Sequence, residues 1–253
     1  MQFSIKRDVL LKSLNFVQGV VEKKNTLPIL SNVLIDAQEN KIIITATDLD
    51  IIFYDEINEV KIEKTGSTTT SASILYDILR KISGNSEIKF NLKDQKKLSL
   101  SADSSDFNLL CLPTDNFPTF DDNFDKQILE LNNSKLLSLL NKSKISISND
   151  DTRHYLNGIF LHVTESNNKT FLTGVSTDSH RLSSSSLEIQ NNVNFSSIIL
   201  PRKTVFQLCS LLTEIKEGIK IQISDTKIKF QIGNIVLISK VIDGKFPDYT
   251  QVI

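Results

Sequence analysis

The sequence predicts an α+β protein in which one domain occurs twice, as a tandem duplication. Residues 153–183 contain RHYLNGIFL, a polar gap and then TGVSTDSHRL. Residues 29–53, ILSNVLIDAQENKIIITATDLDIIF, show the same pattern of apolar and polar segments. Each segment is a strand, a polar turn and a second strand that ends in Thr-Asp. Hairpin-linked strands dominate the chain and helices occur once per half-repeat, which predicts helices collected on one face of curved antiparallel sheets.

The duplication is collinear along the chain. The segment MQFSIKRDVLLKSL corresponds to LELNNSKLLSLL, and SASILYDILRKISGNSEIKFNL corresponds to PRKTVFQLCSLLTEIKEGIKIQIS. Both halves close on a Phe-Pro step, at Phe117-Pro118 and at Phe246-Pro247. Chance similarity seldom stays in order over such lengths, so we expect two domains, at residues 1–125 and 126–253.

Helical periodicity places four helices, two in each half. The first carries Leu10 and Leu14 on one face, the second is capped by Ser71, the third begins at Ser134 and the fourth is expected to start at Pro201. Exposed strand edges at the ends of such sheets invite pairing with another chain, and a head-to-tail contact of that kind can close into a ring.

Composition excludes several classes of protein. The formal net charge of −1 requires any basic surface to be local. Cys111 and Cys209 lie in apolar runs without metal-binding spacing, which indicates buried core residues in a reducing compartment. No apolar run approaches the ~18 residues of a membrane span and no signal sequence follows Met1, so we expect a cytoplasmic protein without membrane contact.

The sequence gives little support for a catalytic site. It contains no GxSxG nucleophile elbow, no phosphate-binding loop and no cofactor-binding motif. Asp178 and His180 are one residue apart, and a hydrolase that uses this pair stays open as a minor alternative. His162 is interpreted as a solvent-facing or hydrogen-bonded strand residue, and the acidic pairs Asp121-Asp122 and Asp150-Asp151 as solvated turns.

Basic residues occur in pairs near every predicted helix: Lys23 and Lys24, Arg80 and Lys81, Lys142 and Lys144, Arg202 and Lys203. If the helices share a face, these charges form a stripe that binds the backbone of duplex DNA without reading its sequence. Ordinary solvated helix faces are the competing interpretation. The chain has no Trp and no row of exposed aromatic residues, which disfavours stacking on single strands.

Six motifs resemble the β subunit of bacterial DNA polymerase III, the sliding-clamp family. They are LPILSN from Leu27, TDL from Thr47, YLNG from Tyr155, TDSHRL from Thr177, PRK from Pro201 and DGKFPDY from Asp243. The resemblance implies a non-catalytic ring around duplex DNA, with helices lining the hole and sheets outside. Such a ring tethers the replicative polymerase and other polymerases through short peptide motifs and is loaded by a clamp loader.

The resemblance also implies two sets of site residues. DNA contacts fall on Lys24, Tyr155 and Lys203, with Arg80, Arg153 and Arg202 as helpers. Ser73, Asp150 and His154 stand where well-known members have Arg, Gln and Tyr, so the Asp150 carboxylate is expected to repel phosphate, while His154 can still stack or donate a hydrogen bond. The peptide-binding set is Leu156, Thr177, Ser179, His180, Arg181, Leu182, Pro247 and Val252. Ser179 replaces a usual Gly and is expected to narrow the cleft, and Gln251 replaces a common Arg.

Family members carry three copies of the repeat and this chain carries two. The expectation is therefore a fragment or a truncated product, without the third domain that completes the ring and one wall of the peptide pocket. Two alternatives stay open: a ring closed by three two-domain chains, and a ring-incompetent module that binds replication peptides.

Overall fold

The computed structural model describes residues 1–22, 26–94, 96–120, 123–124, 127–190 and 195–252. The chain forms two compact units, Met1–Asp121 with Asn234–Val236 and Asp122–Gly233 with Leu237–Ile253. The predicted boundary between residues 125 and 126 and the basic pair Lys23 and Lys24 lie outside the described residues. The α+β class predicted from the sequence is confirmed.

Unit 1 is a nine-stranded antiparallel arrangement with two helices. Its strands follow the order β5-β1-β7-β8-β9-β6-β2-β3-β4. The elements are β1 Gln2–Lys6, α1 Arg7–Val17, β2 Asn32–Ala37, β3 Ile42–Thr47, β4 Ile51–Ile57, β5 Val60–Lys64, β6 Gly66–Ser71, α2 Ala72–Lys81, β7 Glu87–Asp94, β8 Lys97–Ala102 and β9 Ser105–Leu112.

The two helices of unit 1 pack side by side. Leu10 and Leu14 of α1 are fully buried, as are Leu75 and Leu79 of α2, so the predicted apolar stripes form the core. The Arg7 Nε donates to the Leu79 carbonyl at 2.7 Å. The Ser71 hydroxyl accepts the Ile74 backbone N–H and caps α2 as expected.

Unit 2 repeats this order in two runs of four neighbouring strands, β13-β12-β11-β14 and β10-β15-β16-β17. The first of them is the counterpart of β4-β3-β2-β6 in unit 1. The elements are β10 Leu129–Leu131, α3 Asn133–Ser143, a 3₁₀ helix Asp151–Leu156, β11 Gly158–Ser166, β12 Lys169–Thr177, β13 Leu182–Ile189, β14 Ile198–Pro201, α4 Arg202–Glu214, β15 Ile219–Ile223, β16 Lys227–Ile232, β17 Ile235–Lys240 and a 3₁₀ helix Thr250–Val252.

Three strands were not predicted from the sequence: β6, β13 and β14. The first two are rich in Ser and Thr, so no apolar alternation marks them. The β6 residues Thr68, Thr69 and Thr70 are nevertheless buried, and the Thr69 and Thr70 hydroxyls donate to strand β9 carbonyls at 2.8 and 3.0 Å. Hydrogen bonding thus allows polar side chains to fill the interior of this sheet.

Three local predictions were wrong. Helix α3 begins at Asn133, one residue before the expected Ser134, because Asn132 caps it. Pro201 ends β14, and α4 begins one residue later, at Arg202. The extended backbone of Pro201, with ψ of 146°, places it in the strand. Cys209 is buried as expected, whereas Cys111 in strand β9 is only half-buried, because the outward side of that strand is partly open to solvent.

Candidate functional site

The turn between β12 and β13 is held by the side chains of Thr177 and Asp178. The Asp178 Oδ1 accepts the backbone N–H groups of His180 and Arg181, both at 3.0 Å, and Arg181 Nε donates to Oδ2 at 2.9 Å. The Thr177 hydroxyl donates to the Arg181 carbonyl at 2.8 Å. These donors, foremost the His180 N–H, lower the pKa of Asp178 to about 2.

This role of Asp178 removes the basis for the hydrolase alternative. Its two oxygens bind the backbone of its own turn and the Arg181 guanidinium, so the carboxylate is a turn residue and not the orienting partner of a His180 base. His180 lies exposed at the tip of the turn.

A cluster of apolar side chains lies beside this turn in unit 2. Leu156, Val175, Ile199 and Phe246 are buried, and Tyr155, Phe160, Leu182, Ile242 and Tyr249 pack against them. Of the predicted peptide-binding set, the structure brings Leu156 and Leu182 into contact with this cluster, next to Phe246-Pro247. Val252 is not part of it, because its side chain is 73% exposed.

Leu156 reaches this position because Gly158 follows it. A Cβ on Gly158 would lie 2.2 Å from the Leu200 carbonyl oxygen, so only glycine allows β11 to pair with β14 here. The 3₁₀ helix before it is capped by Asp150, whose Oδ1 accepts the Thr152 N–H at 3.0 Å. The Leu156 carbonyl accepts the Ser148 N–H at 3.1 Å, which closes the loop.

Arg153 bridges this loop and the β12–β13 turn. Its Nε donates to Asp150 Oδ2 at 2.9 Å and its Nη1 donates to the Ser179 hydroxyl at 2.6 Å. The Thr152 hydroxyl, its backbone N–H and Arg153 together lower the pKa of Asp150. The ion pair neutralises the carboxylate that was expected to repel phosphate, and it also occupies the guanidinium predicted to help bind DNA.

A basic surface surrounds the start of α4. The Lys144 ammonium and the Arg202 guanidinium lie 5.2 and 5.3 Å from the centroid of the Phe206 ring, which is 45% exposed. Arg202 also hydrogen-bonds the Asn149 side chain, and Lys203 follows it on the first turn of the helix. Aromatic and polar contacts therefore hold predicted DNA-binding cations in place.

The remaining predicted DNA-binding residues are placed as follows. His154 Nε2 lies 3.2 Å from the Asp243 carbonyl oxygen, and since a carbonyl only accepts, this nitrogen carries the proton. The ring also meets Tyr155 edge-on at 5.9 Å. In unit 1, Arg80 lies in the last turn of α2, with its guanidinium 5.5 Å from the Tyr76 ring centroid. Lys24 lies outside the described residues.

Sequence reasoning missed the aromatic side chains of this region. Phe160 and His162 project from the same face of β11 as Gly158, and Phe160 stacks on Phe246 at 5.0 Å. The two-residue alternation along β11 was the available signal. The interpretation of His162 as a hydrogen-bonded strand residue is confirmed, since the residue is half-buried in β11 and its Nε2 lies 2.8 Å from the Tyr249 hydroxyl. Its Nδ1 has no hydrogen-bond partner among the described residues.

The described residues contain no group of three or more His, Cys, Asp or Glu side chains placed to hold a metal ion. No helix in the described part of the chain is long and apolar enough to cross a membrane.

Comparison with known proteins identifies the family. Residues 1–121 match the N-terminal domain of the DNA polymerase III beta subunit, and residues 130–248 match its central domain. Beta sliding clamps from Caulobacter vibrioides and Pseudomonas putida are 37% and 35% identical to this chain over 255 and 254 residues. Each match covers 100% of this chain and 68% of the relative.

Solved structures show the same fold. Caulobacter crescentus pol III beta superposes with a TM-score of 0.95 at 36% identity, over 100% of this chain and 69% of that chain. The DnaN sliding clamp from Bartonella birtlesii bound to griselimycin also gives a TM-score of 0.95, at 41% identity, over 100% of this chain and 68% of that chain. The fold is that of a DNA polymerase sliding clamp. The chain belongs to the family of the bacterial DNA polymerase III β subunit, the β sliding clamp.

Proposed function

We propose that this chain is a non-catalytic processivity factor of DNA replication in the cytoplasm, which encircles duplex DNA and tethers the replicative polymerase through short peptide motifs. The observation that carries the proposal is the meeting of Leu156, Leu182 and Phe246-Pro247 beside the Thr177–Leu182 turn. We name this surface, completed by the exposed Val252, the groove. Apolar area next to exposed polar groups of His180 and Arg181 suits the hydrophobic anchors of a short peptide.

The residues of the groove differ in their exposure and therefore in their proposed roles. Leu156 is only 2% exposed and supports the floor, while Leu182, Pro247 and Val252 offer surface to a ligand. Arg181 keeps a side-chain exposure of 62% although it pairs with Asp178, so it remains available to a partner's carboxylate or carbonyl. Replicative and other DNA polymerases and the clamp loader are the proposed partners.

Duplex DNA is the second proposed ligand. Arg202, Lys203, Tyr155 and His154 would contact phosphates in unit 2, with Arg80 and Lys24 in unit 1. Arg153 has a weaker claim because Asp150 and Ser179 hold its guanidinium. Contacts of this kind depend on charge and not on base identity, which suits a protein that slides.

The groove is tested with griselimycin, because the Bartonella clamp was crystallised bound to it. We expect Leu182→Asp to weaken binding at least roughly tenfold in calorimetry, since a charge replaces an apolar anchor contact. The control is Ile74→Asp, which alters an apolar side chain 53% exposed on α2 of unit 1. Equal affinity in both variants would contradict the proposal.

DNA retention is tested by charge reversal. Arg202→Glu with Lys203→Glu should shorten the residence of the loaded clamp on circular duplex DNA, most clearly at low salt. Lys169→Glu is the matched control, because Lys169 lies on strand β12 and is exposed. Identical residence times for the two proteins would remove the α4 surface from the DNA contact.

One observation favours the second candidate function, a peptide-binding module that does not form a ring. Every residue of the groove belongs to unit 2, so ligand capture does not require a closed assembly. Light scattering separates the two candidates: a defined oligomer supports the clamp, and a monomer that still binds griselimycin supports the module.

A further inference from the structure

Three aromatic rings form a continuous stack under the edge of the groove. His162 stacks on Phe160 with centroids 4.4 Å apart, and Phe160 stacks on Phe246 at 5.0 Å with the planes 6° apart. Phe160 and His162 belong to strand β11, whereas Phe246 directly precedes the groove residue Pro247. The stack therefore joins a rigid strand to the segment that follows Ile242.

That segment is otherwise held by few regular interactions. The Ile242 N–H donates to the Ile199 carbonyl at 2.9 Å, and after it the chain leaves the sheet until the 3₁₀ helix Thr250–Val252. The groove residue Pro247 lies in this irregular stretch, and Val252 ends the short 3₁₀ helix that follows it. Their positions depend on how the side chains around them are fixed.

Tyr249 is the second point of attachment. Its hydroxyl lies 2.8 Å from His162 Nε2, across 87 residues of sequence, and the two rings meet edge-on at 5.6 Å. The Tyr249 carbonyl accepts the Val252 N–H at 3.1 Å. A hydrogen bond from β11 thus reaches Val252 through one residue.

The hydrogen bond between His162 and Tyr249 joins two neutral side chains. Either the Nε2–H donates to the Tyr249 oxygen or the Tyr249 hydroxyl donates to Nε2, according to the tautomer of the imidazole. Burial lowers the pKa of His162 and raises the pKa of Tyr249, so both groups are neutral at neutral pH.

We propose that His162 is a positioning residue of the groove: its hydrogen bond to Tyr249 and its stack on Phe160 fix residues 246–252, and so the edge formed by Pro247 and Val252. The inference rests on the proposed function of the groove. It adds a residue that does not touch the ligand and acts through Tyr249.

The test compares Tyr249→Phe, which deletes only the hydroxyl, with His162→Leu and with the double variant. We expect Tyr249→Phe to weaken griselimycin binding roughly fivefold and His162→Leu to weaken it at least as much, because the leucine also removes the stack on Phe160. The double variant should lose no more than His162→Leu alone, because that change already removes the shared bond. His162→Gln keeps a side chain that can hydrogen-bond to Tyr249 and should recover part of the affinity. The control Thr164→Val deletes the 2.7 Å hydroxyl contact with Thr173 elsewhere on β11 and should bind normally.

A second readout does not need the ligand. Hydrogen exchange of the Thr250 and Val252 amides in the free protein should accelerate about tenfold in Tyr249→Phe and stay unchanged in Thr164→Val. A parent protein that binds griselimycin while Tyr249→Phe shows unchanged affinity and exchange would overturn the positioning role alone. A parent that does not bind griselimycin would overturn the groove itself, and with it this role.

Discussion

The two Thr-Asp turns have the same backbone conformation, but they differ in the polar groups that their side chains expose. In unit 1, Asp48 Oδ1 accepts the Asp50 and Ile51 N–H groups at 2.9 and 2.7 Å, as Asp178 does in unit 2 for His180 and Arg181. Thr47 and Thr177 make equivalent bonds across the turn. The third residue is left-handed in both, Leu49 with φ of 80° and Ser179 with φ of 77°.

The side chains that follow are unlike each other. Ile51 is buried in β4, whereas the equivalent Arg181 is exposed and paired with Asp178. The Ser179 hydroxyl accepts a hydrogen bond from Arg153, whereas the Leu49 side chain has no acceptor atom. The duplicated backbone is thus a scaffold common to both units, and the exposed polar groups that suit a ligand belong to the second one.

The largest expected effect separates the two aspartates. Asp178→Ala removes the acceptor of two backbone N–H groups and the partner of Arg181, and should weaken griselimycin binding roughly tenfold, as the loss of a charged hydrogen bond predicts. Asp48→Ala removes the same backbone contacts in unit 1 and should leave binding unchanged. Calorimetry on both variants measures the difference, and equal losses would mean that the effect is general unfolding.

A smaller difference concerns the left-handed residues. Leu49→Gly should raise the free energy of unfolding by about 1 kcal/mol, because glycine relieves backbone strain at positive φ. Ser179→Gly relieves the same strain but loses the hydrogen bond from Arg153, so its gain should be smaller. Urea unfolding midpoints give both values. A larger gain for Ser179→Gly would show that the Arg153 bridge does not stabilise the turn.

The smallest expected effect compares the helices. Phe206→Leu removes the ring beside Lys144 and Arg202 and should weaken duplex DNA binding about threefold, the scale of an exposed cation–π contact. Tyr76→Leu removes a ring beside one cation, Arg80, and should have less effect. Fluorescence anisotropy with a labelled duplex measures both. Equal affinities for both variants and the parent would show that ring contacts do not pre-organise these cations.

Prediction from the sequence succeeded where the physical signal is local. The paired Thr-Asp turns and the apolar stripes of α1 and α2 are visible because the residues that cause them are close along the chain. The strands β6 and β13 were not predicted because Ser and Thr fill them. The burial of the β6 threonines depends on distant partners, the Leu110 and Leu112 carbonyls of β9.

Only part of the groove could be predicted from the sequence. The resemblance supplied Leu156 and Leu182, but the residues that support the groove had no local signature. His162 and Tyr249 are 87 positions apart and neither is part of a motif that asks for the other. The resemblance assigned Arg153 to DNA, whereas the bonds of its guanidinium to Asp150 and Ser179 are visible only in the structure.

Gly158 carries a further consequence. Where every other amino acid has a β-carbon, it has a hydrogen atom, and that atom lets the Leu200 carbonyl approach. Leu156 lies two residues before Gly158, and Arg202 lies two residues after Leu200. A single added carbon would push the two strands apart and displace the ligand surface and the cationic surface of unit 2 together. Random mutagenesis of this unit should therefore find that codon intolerant of every exchange.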